Sequence, residues 1–162
     1  MTTTFEDILR EQGTLVYTNV GVSMMPLLRQ GRDVMVIENV QDGKPLHRLD
    51  SVLFKRRNGQ YVLHRIMDSG TPESEKLVYR ICGDNTLDLE RVERSQIIGR
   101  LVAVERYGGR HICVTDLSYR LFSWLMWGLW PVRRYGRPIY WRLRGYAAAV
   151  YHKLRRIIVS KS

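Results

Sequence analysis

Apolar and polar positions along the chain follow two rhythms, and the change falls near Asp116. From Thr14 to about Asp116 the apolar residues come in short runs rich in Val, Ile and Tyr: TLVYTNV, DVMVIENV, SVLFKRR, QYVLHRIM, KLVYRIC, IIGRLVAVERY and RHICVTD. Turn-forming segments separate them, namely RQGR, QDGKP, RNGQ, DSGTPESE, GDNT and YGGR. Runs of this length and composition read as strands, with Gly, Asn, Asp and Pro marking the reversals. The Asn58-Gly59 pair predicts a tight hairpin, because both residues tolerate the positive φ such turns need. Short strands at this spacing predict a mainly β domain, a coiled sheet or barrel. Ahead of it, Phe5, Ile8 and Leu9 predict a short amphipathic helix that Gly13 stops.

Beyond Asp116 the spacing turns helical. SYRLFSWLMWGLWP predicts an aromatic-rich helix closed by Pro131. A second helix is predicted from about Pro138 to Val159, with Ile139, Leu143, Tyr146, Val150, Leu154 and Ile157 on one face. Arg142 and Lys153 lie along one border of that face, Arg144 and Arg155 along the other. Their aliphatic stems can cover apolar surface while the charges reach water. The expected organisation is a β domain over 1–116 and a basic, aromatic-rich helical tail over 117–162.

Charge sharpens this division. Met1–Asp116 holds 16 Lys and Arg against 16 Asp and Glu, so the net +10 of the 162 residues falls entirely in Leu117–Ser162, which has no acid. With 44% hydrophobic and 26% charged residues the composition is that of a globular protein and excludes a disordered one. Two cysteines, Cys82 and Cys113, cannot make a disulfide framework, and neither has metal-ligand spacing. Both read as small buried apolar residues. The opening MTTTFEDILREQG carries acids and no continuous apolar core, unlike an export signal or membrane anchor.

Candidate chemistry starts at Ser23, in TNVGVSMMPLLRQG. A serine hydroxyl is a poor nucleophile until a base takes its proton. Alternation in QYVLHRIM puts Val62, His64 and Ile66 on one apolar face, turned inward or toward a hydrophobic cleft. Burial there disfavours imidazolium and leaves the neutral form that a general base requires. His47, beside Pro45, is expected to be exposed, and His111 and His152 lie in a late strand and the basic tail. Lys55 is the nearest rival base, set among Arg56 and Arg57 beside a polar turn. On these residues alone, the reading of His64 as a satisfied core histidine outweighs the catalytic one.

Four segments in order resemble the boxes of the signal-peptidase and LexA-like serine peptidases. Ser23-Met24-Met25-Pro26 matches the nucleophile box, His64-Arg65 the base position, and Gly83-Asp84-Asn85 and Ile98-Gly99-Arg100 the last two, over roughly Leu15 to Arg106. The resemblance implies a Ser23 nucleophile and, with histidine where most relatives carry lysine, the histidine-base (endoplasmic-reticulum or archaeal) variety. It implies an orienting acid after the third box, for which Asp84 and Asp88 both qualify; the family's own aspartate falls slightly later than Asp88. It implies an oxyanion hole at Ser23 with Gly21, Val22 and Met24 around it, Gly21 standing where many relatives have a second serine. Met24 and Pro26 would shape the turn and pack the cleft wall. The activity implied is endoproteolysis of an extended peptide or pre-protein leader, with no metal or cofactor. The first matched strand begins near Thr14, so neither an N-terminal DNA-binding domain nor a self-cleaving transcriptional switch is expected.

The tail leaves three readings open. Tryptophans, an apolar stripe and arginines suit an anionic membrane surface. The apolar run LFSWLMWGLW is about half the ~20 residues that spanning needs, so it would lie on a bilayer and not cross it. A helical cap on the β domain uses the same aromatics, and basic residues with aromatics also occur in nucleic-acid binders, although this run is more apolar than phosphate contacts need. The expected location is cytoplasmic, peripheral to a membrane. The alternative function is a non-catalytic membrane- or nucleic-acid-binding module on the same fold.

Overall fold

The computed structural model describes residues 3–40, 43–73 and 76–136. The helix expected from Pro138 to Val159 lies outside the described residues. By its contacts the chain divides into Met1–Trp127 and Gly128–Ser162.

Helix α1 (Phe5–Gln12) begins at a capping box. The Thr4 hydroxyl accepts the Asp7 N–H at 3.2 Å and the Asp7 carboxylate accepts the Thr4 N–H at 3.0 Å. It ends where predicted, at Gly13 with φ 74°, whose N–H bonds Leu9 O. Eight strands follow: β1 (Thr14–Thr18), β2 (Val34–Asn39), β3 (Ser51–Lys55), β4 (Tyr61–Glu73), β5 (Lys76–Cys82), β6 (Glu90–Glu93), β7 (Ile97–Arg106) and β8 (Arg110–Cys113). They form one antiparallel sheet in the order β1-β2-β7-β3-β4-β5-β6. β7 shares its second edge, β3 pairing with its first half and β8 with its last. The mainly β expectation holds.

The sheet has apolar cover on both faces. Leu53, Leu63, Ile98, Leu101 and Val104 join Leu9, Met24, Leu27 and Leu28 in one core; Val52, Phe54, Ile66, Ile81, Val92 and Ile97 form a second. Successive residues of β3 therefore point into different cores, which is why SVLFK is apolar almost throughout instead of alternating. Gly99 marks a close approach: a Cβ there would sit 2.4 Å from the Ile37 side chain, so the Ile-Gly-Arg segment serves packing.

Four expectations change. β4 runs on through Asp68–Glu73, which the Gly and Pro of DSGTPESE had suggested was turn; Thr71 and Pro72 pair with Val78 and Leu77. β6 is an additional strand. Helix α2 (117–136) continues through Pro131, whose missing N–H removes one helical hydrogen bond without ending the helix. Cys82 is buried, but Cys113 is only half-buried, with Sγ 3.3 Å from His111 Nε2. The first part of α2 belongs with the β domain: Tyr119 and Ser123 are buried, and the Trp127 indole N–H donates to Met67 O at 3.0 Å.

Candidate active site

Ser23 lies in a turn five residues beyond the end of β1, not at the strand end itself. Two backbone bonds shape that turn, Met25 N–H to Val22 O at 3.2 Å and Leu28 N–H to Met24 O at 2.9 Å. Buried Met24 anchors it in the first core. Upstream, buried Asn19 ties the approach by donating to Gly21 O at 2.7 Å and accepting the Gly21 N–H at 3.3 Å. That bond occupies the Gly21 amide. The Ser23 amide has no acceptor among the described residues, which leaves it available to an oxyanion.

His64 is on β4, opposite Val52 of β3. Its ring is buried, edge-on to Phe54 with centroids 6.0 Å apart. Ser23 and His64 both line one cleft of about 580 Å³, floored by Met35, Leu53 and Leu63. Val22, Gly21 and Asp88 line it too. Ser23 Oγ makes no hydrogen bond to His64 or to any other described residue.

The Gly83-Asp84-Asn85 segment binds nucleophile loop and base strand together. A Cβ on Gly83 would lie 2.7 Å from the Ser23 backbone carbonyl oxygen and 3.0 Å from His64 Nε2, so both segments pack closely against this glycine. Asn85 fastens the serine loop, its N–H donating to Ser23 O at 2.7 Å and its side-chain amide to Val22 O at 3.2 Å. Asp84 holds the base strand: both its oxygens accept from Arg65, at 2.8 Å each, and both side chains are fully buried.

Asp84 is therefore committed to Arg65, and the carboxylate at the imidazole is a residue the sequence reading passed over. Glu90, on β6, puts Oε1 3.1 Å from His64 Nδ1, close enough for a charge pair although off the line of a good hydrogen bond. Arg56 grips Glu90 with both arms, Nε to Oε2 at 2.8 Å and Nη2 to Oε1 at 2.7 Å. Burial raises the Glu90 carboxyl, but the hydrogen bonds from Arg56 and the charges of His64 and Arg56 outweigh it and hold it below its ordinary value. His64 titrates below its ordinary value because burial disfavours its cation; Glu90 opposes this, Arg56 adds to it, and Asp84 opposes it. The histidine is thus held neutral with a carboxylate behind it.

Lys55 is excluded as the base by its partner: Nζ lies 2.7 Å from Glu6 Oε1, a bond that raises the ammonium pKa. His47 and His111 are exposed. His152 lies outside the described residues. Among the described residues no His, Cys, Asp and Glu group could hold a metal ion.

The β domain thus brings a serine, a histidine whose cation burial disfavours and a carboxylate to one cleft, the residue types that acyl transfer uses. Comparison with models of known protein families finds no match, and none of the curated proteins matches the chain.

Proposed function

We propose that the protein is a serine endopeptidase of the signal-peptidase type, cleaving an extended peptide or pre-protein leader with Ser23 as nucleophile and His64 as general base. The observation that carries this reading is that Ser23 and His64, 41 positions apart in sequence, line one cleft, with the Ser23 backbone carbonyl and His64 Nε2 both close to Gly83. With a peptide in the cleft, Oγ attacks the scissile carbonyl while Nε2 takes its proton. The oxyanion forms beside the Ser23 N–H. His64 then returns the proton to the leaving amine, and a water deprotonated by the same imidazole hydrolyses the acyl-enzyme. Glu90 faces the imidazolium formed in each half-reaction, and Arg56 keeps Glu90 in place.

The competing reading, a non-catalytic binding module, draws on the absent Ser23–His64 hydrogen bond. Such bonds are often long before substrate arrives and tighten only in the complex. Both readings meet the same experiment. The protein is incubated with a pool of extended peptides, and new termini are identified by mass spectrometry. Cleavage by the wild type should fall about a thousandfold or more in Ser23→Ala and in His64→Ala, with the fold retained. Equal cleavage by wild type and Ser23→Ala, or no cleavage by either, would reject the peptidase.

A further inference from the structure

Helix α2 carries apolar residues on opposite sides, and the β domain uses one side. Tyr119, Phe122 and Ser123 turn inward: Tyr119 and partly buried Phe122 join the first core, and Ser123 accepts from Arg65 at 2.7 Å. On the opposite side Leu117, Leu121, Trp124 and Leu125 recur at i, i+4, i+7 and i+8 and are exposed, Leu121 to 60% and Trp124 to 53%. The cap reading thus accounts for half the helix and leaves an apolar stripe facing outward. A stripe of this kind on an otherwise packed helix marks an interaction surface.

Charge selects the occupant. Exposed Arg120 borders the stripe, and from Leu117 onward the chain has ten basic residues and no acid. A second copy would bring the same positive charge against it. Nucleic acid would match the charge but not a row of leucines. An anionic bilayer matches both, leucines entering the acyl boundary, tryptophan at the headgroups and arginines on lipid phosphates. Among the described residues no helix is long and apolar enough to cross a membrane, so the contact is one of lying on the surface. Because Ser123, Tyr119 and the Trp127 indole fix this part of α2 to β4 and its surroundings, docking would hold the β domain in one orientation.

We propose that the outward face of α2, formed by Leu117, Leu121, Trp124 and Leu125 with Arg120 at its border, docks the protein on an anionic lipid surface. The docking uses no group of the catalytic cleft and stands apart from the peptidase reading. The full-length protein is floated with phosphatidylcholine vesicles with and without phosphatidylglycerol. The wild type should float with the anionic vesicles, with affinity about tenfold or more lower for phosphatidylcholine alone, and salt should weaken it. Leu121→Glu combined with Leu125→Glu should lose about tenfold or more of that affinity at unchanged thermal stability, while Ser23→Ala binds as the wild type does. Brominated lipids should quench the wild-type fluorescence more than that of Trp124→Phe. Failure of the wild type to float, equal flotation of the double variant, or equal quenching would overturn the proposal. So would a dimer, or a shift of duplex DNA, that the double variant abolishes while vesicle binding persists.

Discussion

A Cβ at position 83 would approach Ser23 O, His64 Nε2 and Thr86 Oγ1 at 2.7–3.0 Å, and the first of these is backbone that Asn85 already holds. Relief must come from moving the serine loop away from the imidazole. Gly83→Ala should therefore lower kcat/KM about a hundredfold, since displacement of reacting groups by ~1 Å costs that much, while a melting curve shifts little. Retained activity would mean that the two segments need not meet there. Glu90 and Arg56 permit a test with opposite signs. A neutral His64 is the active form, so activity should fall in acid with a midpoint below the ordinary histidine value of about 6.5. Glu90→Gln removes a charge that raises the His64 pKa, so the acid limb should move to lower pH while the plateau rate drops by about a hundredfold. Arg56→Gln removes a charge that lowers it, so the limb should move to higher pH. Limbs that do not move would separate the pair from His64. Ser23 and His64 were legible as candidates through the order of the four boxes, since alone one fits an ordinary turn and the other a core position. Glu90 was not, because its role depends on which residue of β6 falls opposite Ile81.

That dependence belongs to the element. β6 is four residues, ERVE, with a single apolar side chain, too little to raise a strand signal between GDNT and the long run of β7. Its existence is decided by β5, whose edge it covers, and by Val92, which is buried beside Ile81 and Tyr79 in the second core. β4 shows the same limit from the other side: Gly70 and Pro72 read as a turn, yet β5 pairs with the chain as far as Glu73. Local turn chemistry yields where a neighbouring strand supplies the hydrogen bonds. The other strands were read with their ends within a few residues, since their apolar runs suffice alone. Val92→Ala should cost about 2 kcal/mol in urea unfolding. It should also loosen Glu90, two residues away, so the plateau rate falls and amide exchange in β6 rises. A stability loss with no change in rate would show that β6 does not position the acid.

At the scale of the molecule, one buried guanidinium joins the parts. Arg65 donates through Nε and Nη2 to Asp84 and through Nη1 to Leu49 O at 2.9 Å and Ser123 Oγ at 2.7 Å, with its guanidinium over the Tyr119 ring. It thereby links the strand of the base, the segment that clamps the nucleophile loop, and α2. Burial works against its charge, but Asp84 more than restores it, and its pKa lies above the ordinary arginine value. Asp84→Ala would strand a cation in the interior and should cost about 3–5 kcal/mol. Stability alone does not separate a clamp from a mere ion pair, because any broken buried pair is costly. Replacing both partners does: Arg65→Met with Asp84→Leu removes the charges together and should recover most of the lost stability, since buried pairs are often exchangeable for apolar residues. Activity should stay low, because the 83–85 segment would then lose its side-chain tie to the strand of His64 and keep the backbone pairing of Cys82 with Arg65. A double variant with both restored would reduce Asp84 to packing, and would leave Gly83 and Asn85 to hold the serine loop beside the histidine.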